Sequence, residues 1–275
     1  MTSKVTRTPA RIDDQAKQLR ALAGTADAPA LPAIAITGGK GGVGKTCVAV
    51  NLTLALAAVG IKPLLVDCDL GLANADVMLG LDPRATLYDV MCENRPIDEA
   101  IVADARGFGF VPAASGREEL TQLPARSLNR LVREIGRAGA DHDVILMDTA
   151  AGIGREVSTL VLASRLVLVV LTPDPTSLAD AYALVKLVEG KQPGKDIRVL
   201  VNLAANQDEA TEAFSRLRKV SSTYLRRDLA YAGYLPRDRH VAEAVRKRRP
   251  FADGDGPAAN ALRALALKLK SERWR

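Results

Sequence analysis

The chain has 275 residues, 48% of them apolar, which is enough to bury one large core and contains no apolar run of the length a membrane-spanning helix needs. Its 38 Lys and Arg against 32 Asp and Glu give a net charge of +6, which permits contact with nucleic acid or anionic lipid and requires neither. Three cysteines, Cys47, Cys68 and Cys92, form no C-x-x-C pair, and the N-terminus is charged, so neither a disulfide scaffold nor a secretory leader is expected and the protein reads as reduced and cytoplasmic.

Near the N-terminus, Asp13 or Asp14 can cap a short helix in which Ile12, Ala16, Leu19 and Ala23 make a narrow apolar stripe. So short a helix is marginal without a partner. The Ala/Pro/Gly stretch from Gly24 to Pro32 reads as a linker, which divides the chain into a partner-binding segment, 1–31, and one nucleotide-hydrolysing domain, 32–275. Strands are expected at Ala33 to Thr37, Pro63 to Asp69, Gly109 to Pro112, Asp143 to Asp148, Leu166 to Leu171, Ile197 to Asn202 and Tyr231 to Pro236, with helical patterns between them. Nearly continuous apolar runs such as VILMD and LVLVVL suit strands covered on both faces. The expected fold is therefore α/β, a mainly parallel, twisted sheet flanked by helices, of the P-loop NTPase type.

Between the first strand and the first long helix stands GGKGGVGKT, which satisfies G-x-x-x-x-G-K-[ST] from Gly39 to Thr46. Backbone N–H groups of Gly39, Lys40, Gly41, Gly42, Val43, Gly44, Lys45, Thr46 and Cys47 can turn toward phosphate. Lys45 reaches the β/γ oxygens, and Thr46 offers its hydroxyl to Mg²⁺. Lys40 is an additional lysine, suited to the charge that develops in phosphoryl transfer. Ligands of such sheets bind at the carboxyl ends of the strands, where Asp67, Asp69, Asp148 and Asn202 all fall. Asp148 ends an apolar strand, the placement of an acidic residue that holds the Mg²⁺ shell. Asp67 and Asp69, two residues apart, emerge on one face of their strand, so that one can order Mg²⁺ and the other the attacking water. The substrate and cofactor implied are ATP and Mg²⁺.

GGKGGVGKT, DCDLGLANADVMLG and DVILMDTAAGI together resemble the MinD/ParA class of deviant-Walker ATPases, over nearly everything from Pro32 to the last helix. The resemblance implies a homodimer that sandwiches ATP, with Lys40 crossing to the partner's nucleotide. It also implies Asp69 as the water-activating aspartate and Asn74 as the asparagine of the same switch loop. Asn202 falls where the class contacts adenine, and GYLPRD, carrying Pro236 and Asp238, falls on the loop that closes over the base. Cys47 stands where Ser or Thr is usual, so only its backbone N–H counts as a phosphate donor.

DQAKQLR at 14–20 is similar to the DQAxxLR element of the FlhG/FleN regulators of flagellar number and placement. That likeness implies that Asp14, Gln15, Ala16, Leu19 and Arg20 dock on and stimulate an FlhF-type signal-recognition GTPase, with Gln15 at the GTPase site. It further implies a flagellar transcriptional activator of the enhancer-binding type as a second partner. Two features leave alternatives open. In NALRALALKLKSERWR, Leu262, Leu265, Ala266 and Leu269 share a face, which suits the last core helix and also weak membrane contact at the cell pole with Trp274 at the lipid interface. The run Arg246 to Arg249, with Arg226 and Arg227, suits a ParA-type partition ATPase that holds DNA through phosphates, and also a solvated or protein-contacting face, which ranks first because no aromatic residues interleave the run and the flagellar branch resembled here carries a similar AVRxxxPF stretch; a MinD-like division-site regulator is a further alternative. A metal-cluster ATPase is disfavoured, since the cysteines cannot bridge a cluster.

Overall fold

The computed structural model describes residues 30–71, 73–113, 123–272 and 274. The DQAKQLR segment, with Asp14, Gln15, Ala16, Leu19 and Arg20, lies outside them. The elements in order are β1 (Leu31–Thr37), α1 (Lys45–Ala58), β2 (Pro63–Cys68), α2 (Ala75–Leu79), α3 (Leu87–Cys92), β3 (Val102–Asp104), β4 (Phe108–Val111) and α4 (Ala125–Ala138). They continue through β5 (Val144–Thr149), α5 (Arg155–Ala163), β6 (Ser164–Leu171), α6 (Pro175–Lys191), β7 (Asp196–Ala204), α7 (Gln207–Leu225), β8 (Ala230–Pro236), α8 (Arg239–Arg246) and α9 (Pro257–Lys270).

The sheet runs β3-β4-β2-β5-β1-β6-β7-β8, and every pairing is parallel except β3 with β4. All seven expected strands are present. The short antiparallel β3 was not expected, because VAD has neither length nor apolar alternation to mark it. β1 begins at Leu31, so Leu31 and Pro32 belong to the sheet and not to the linker.

Alternation along the strands divides the interior into two cores, one per face. Ala33, Ala35, Val66, Met147, Val167, Val169 and Val201 pack under α4, α5, α6 and α7. Ile34, Ile36, Leu65, Leu146, Leu168 and Val170 pack under α1 and α9. The helices follow the same logic. α4 carries Leu128, Leu131, Ile135 and Ala138 on a single buried stripe and is polar elsewhere, whereas α1 is apolar around its circumference and is enclosed between the sheet and α9.

The C-terminal helix resolves one open alternative. Leu262, Leu265, Ala266 and Leu269 are all buried, so the apolar face of α9 is spent on the core and is not available to a lipid. Trp274 is likewise buried, donating its indole N–H to the Leu269 carbonyl at 3.0 Å under the Arg165 guanidinium at 5.6 Å, which favours the core reading over a place at a lipid interface. Among the described residues no helix is long and apolar enough to cross a membrane.

Candidate functional site

The phosphate loop spans the gap between the end of β1 and the start of α1, and its shape is set by close backbone approaches. A Cβ on Gly39 would lie 2.2 Å from the Asp180 carbonyl oxygen in α6, so only glycine fits there. Gly44 adopts φ +90, and the buried Asn202 side chain presses against it while donating from Nδ2 to the Val43 carbonyl at 2.8 Å. Beyond Gly44, α1 has no side-chain cap and no acidic residue in its first turn, which leaves its first amides to an external anion.

Asp67 and Asp148 are register partners on β2 and β5, and both lie on the α1 face of the sheet, where Lys45 and Thr46 begin the helix. They are 1% and 0% exposed. Asp67 is braced by the amides of Asp69 at 3.0 Å and Ala75 at 3.3 Å. Burial nevertheless pushes its carboxyl up to about 7, with the charges of Asp69 and Asp76 adding to the shift. Asp148 is raised well above the ordinary carboxylate range by burial and by Asp67, against the pull of Thr46 and Lys45. Among the described residues no donor meets either buried Asp148 oxygen in normal hydrogen-bond geometry, the Thr46 hydroxyl being near enough only to temper the charge. Burial lowers the Lys45 ammonium, opposed by the charges of Asp148 and Asp69. Two buried carboxylates of raised pKa beside a threonine hydroxyl, one of them orphaned, are the donor set that a hard divalent cation satisfies.

Two cavities flank the loop and share Gly41 and Gly42. The phosphate-side cavity, about 630 Å³, is bounded by Lys45, Thr46, Asp69, Asn74, Ala150 and Gly154. A second cavity of about 480 Å³, termed base-side because the adenine is expected there, is bounded by Lys40, Thr172, Asp174, Leu203, Glu209 and Arg237. The expected phosphate and metal residues therefore converge. Asn202, Pro236 and Asp238 do not line this cavity; Leu203 and Arg237, next to them in the chain, do, and Asp238 instead faces a separate cavity with His240, Phe251 and Gly256. The Asp238 carboxylate is occupied in capping α8 through His240 N at 2.9 Å and tying down Ala258 N at 3.2 Å.

Lys40 does not point at the phosphate cavity within its own subunit. Its Nζ donates to Thr176 Oγ1 at 2.6 Å and to Asp174 Oδ1 at 3.3 Å, on the base side of the loop. Asp174 and Thr176 were not singled out in the sequence. Asp-Pro before a helical pattern marks Asp174 as an N-cap with proline at N1, yet nothing local connects it to a lysine 134 residues earlier. Two further residues escaped notice. Glu156 lines the phosphate-side cavity, and Asn51, fully buried in α1, has no pattern to distinguish it from a helix-surface asparagine.

The family model described as an AAA domain matches residues 32–199. The chain is 42% identical over 241 residues to the protein named Antiactivator FleN of Pseudomonas aeruginosa, covering 88% of this chain and 86% of that one. It belongs to the MinD/ParA family of P-loop ATPases, in the FlhG/FleN branch. It is 33% identical to the Flagellum site-determining protein YlxH of Helicobacter pylori, over 78% of this chain and 73% of that one. Among solved structures, the septum site-determining protein MinD complexed with Mg-ADP from Pyrococcus horikoshii superposes with a TM-score of 0.73 at 25% identity, over 87% of this chain and 96% of that one. The enzyme is an ATPase using ATP and Mg²⁺. Bound there, Mg²⁺ neutralises phosphate charge and aligns the transferred group. Thr46, Asp67 and Asp148 are the side chains that would hold it, and Lys45 and the open amides of α1 would hold the phosphates.

Proposed function

We propose that the chain is an ATP-driven dimerising switch that sets flagellar number and placement. The observation that carries this reading is the 42% identity, over 88% of the chain, to a protein named Antiactivator FleN. ATP-bound subunits pair face to face; Lys40 leaves Asp174 and Thr176 for the partner's triphosphate; Asp69 takes the proton of the attacking water; hydrolysis separates the pair. The adenine sits among Asn202, Pro236 and Asp238, with Leu203 and Arg237 as the adjoining wall. The DQAKQLR segment, through Asp14, Gln15, Ala16, Leu19 and Arg20, docks on an FlhF-type GTPase and stimulates it, and the ATP-bound form restrains flagellar gene expression through an enhancer-binding regulator. Partner contacts localise it in the cytoplasm at the cell pole, since α9 is committed to the core.

Deletion of the gene is expected to change flagellar number or position, with complementation by wild type and not by Lys45→Ala. Normal flagella together with faulty DNA segregation would replace this reading with a partition ATPase. Stimulation of the cognate GTPase by Gln15→Ala at the wild-type level would remove the role given to the N-terminal segment.

A further inference from the structure

Asn51 stands in the middle of α1 with no exposed surface. A polar side chain in such a place must be paired. Its Nδ2 donates to the Cys47 carbonyl, one turn back, at 2.7 Å, and its Oδ1 accepts the Ala252 N–H at 2.8 Å. The first partner belongs to the turn that carries Thr46 and receives phosphate. The second lies 201 residues away, in the connection between α8 and α9.

The last residue of α8, Arg246, and the first three of that connection, Lys247, Arg248 and Arg249, are four exposed cations. Lys247 pairs with Glu243 at 2.6 Å and the Arg246 charge also acts on Glu243, while Arg248 and Arg249 form no ion pair among the described residues. The turn has a definite shape. Arg248 is left-handed at φ 51, its N–H bonds the Val245 carbonyl at 3.0 Å, and the Arg249 N–H bonds that of Ala244 at 3.0 Å. Phe251 anchors it in the core. Val245, immediately before the turn, lines the phosphate-side cavity. The basic turn is therefore held to the nucleotide site at two points, through the cavity wall at Val245 and through Asn51 at Ala252.

We propose that Asn51 is a positioning residue that couples the phosphate loop to the basic turn, so that nucleotide occupancy governs how exposed Arg246 to Arg249 are. The inference rests on the nucleotide site described above. Phosphate fixes the first turn of α1, including the Cys47 carbonyl. A planar amide with both ends bonded and no access to water transmits that constraint to Ala252. A turn bearing the two unpaired guanidinium groups of Arg248 and Arg249 then becomes a surface whose availability reports the nucleotide state.

The test uses the full chain, Mg²⁺ and a slowly hydrolysed ATP analogue, with saturation established first by direct titration. Trypsin cleavage after Arg246, Lys247 and Arg248, the Arg249–Pro250 bond being resistant, followed by mass spectrometry, is expected to slow roughly fivefold when the analogue is bound, because local opening of the turn then becomes rarer. Asn51→Ser keeps the bond to its own helix, as the Thr53 hydroxyl does in donating to the Ala49 carbonyl at 2.8 Å, but cannot reach Ala252. This variant should bind the analogue and show no change in cleavage. Protection equal to wild type in Asn51→Ser overturns the proposal, as does a wild-type cleavage rate indifferent to bound analogue. Should Asn51→Ser fail to fold, hydrogen exchange at the Ala252 amide of wild type decides instead, by slowing with the analogue or by remaining unchanged. Failure of wild type to bind in the titration would count against the nucleotide site itself.

Discussion

Asp174 offers a quantitative check on how Lys40 is held. Its Oδ1 accepts the Ser177 N–H at 2.9 Å and the Thr176 hydroxyl at 2.6 Å, the Thr172 hydroxyl donates to Oδ2, and Lys40 approaches at 3.3 Å. These bonds hold the carboxyl far below the usual carboxylate range, the Thr172 and Thr176 hydroxyls contributing most. Asp174→Ala removes the N-cap of α6, worth about 1 kcal/mol, and an ion pair that is discounted to about 0–1 kcal/mol because its side chains are 43% and 44% exposed. The sum, about 1–2 kcal/mol, corresponds to a fall of roughly 2–8 °C in the melting temperature of a domain this size. Asp174→Asn keeps the Ser177 N–H cap but loses the ion pair and the Thr172 hydroxyl bond to Oδ2, so its fall should be smaller than that of Asp174→Ala. Because the folded pKa is depressed, the contribution is present above the unfolded value near 3.9 and is lost as pH falls through the folded one. The difference between wild type and Asp174→Ala should therefore persist from pH 5 to 8 and shrink in acid. Thermal melts of the nucleotide-free protein measure this. Equal loss in Asp174→Asn and Asp174→Ala would refute the division into cap and ion pair.

Gly39→Ala should lower stability by several degrees and raise the KM for ATP, because the added carbon meets the Asp180 backbone at 2.2 Å, whereas Gly41→Ala, facing open space, should melt within about 2 °C of wild type. The carboxyls of Asp67 and Asp148 have folded pKa values above their unfolded ones, so their favourable effect is complete below about pH 4 and is lost as pH rises toward and past their folded values. The nucleotide-free melting temperature should accordingly fall between pH 5 and 7.5, Asp67→Asn should flatten that profile, and Asp148→Asn should raise the apo melting temperature while abolishing the Mg-ATP-dependent shift; a flat wild-type profile would contradict the assignment. Trp274→Ala should cost about 3 kcal/mol in urea denaturation and leave liposome sedimentation unchanged, since the ring is buried against α9.

The sequence alone determined the sheet and the phosphate loop, because both are written in local signals. Apolar runs too continuous for a solvated face mark parallel strands, and GGKGGVGKT carries its own geometry in the residues that can turn inward. Asp67 and Asp148 were legible for the same reason, as acidic ends of apolar strands. Trp274 was not: a terminal amphipathic helix has the same spacing whether it covers a core or a lipid, and only the neighbouring β6 residue Arg165 and the filled face of α1 decided between them. The partners of Lys40, the two-ended bond of Asn51 and the wall formed by Leu203 and Arg237 all join residues far apart in the chain. Such contacts depend on where the chain crosses itself in space, and a local pattern carries no record of that.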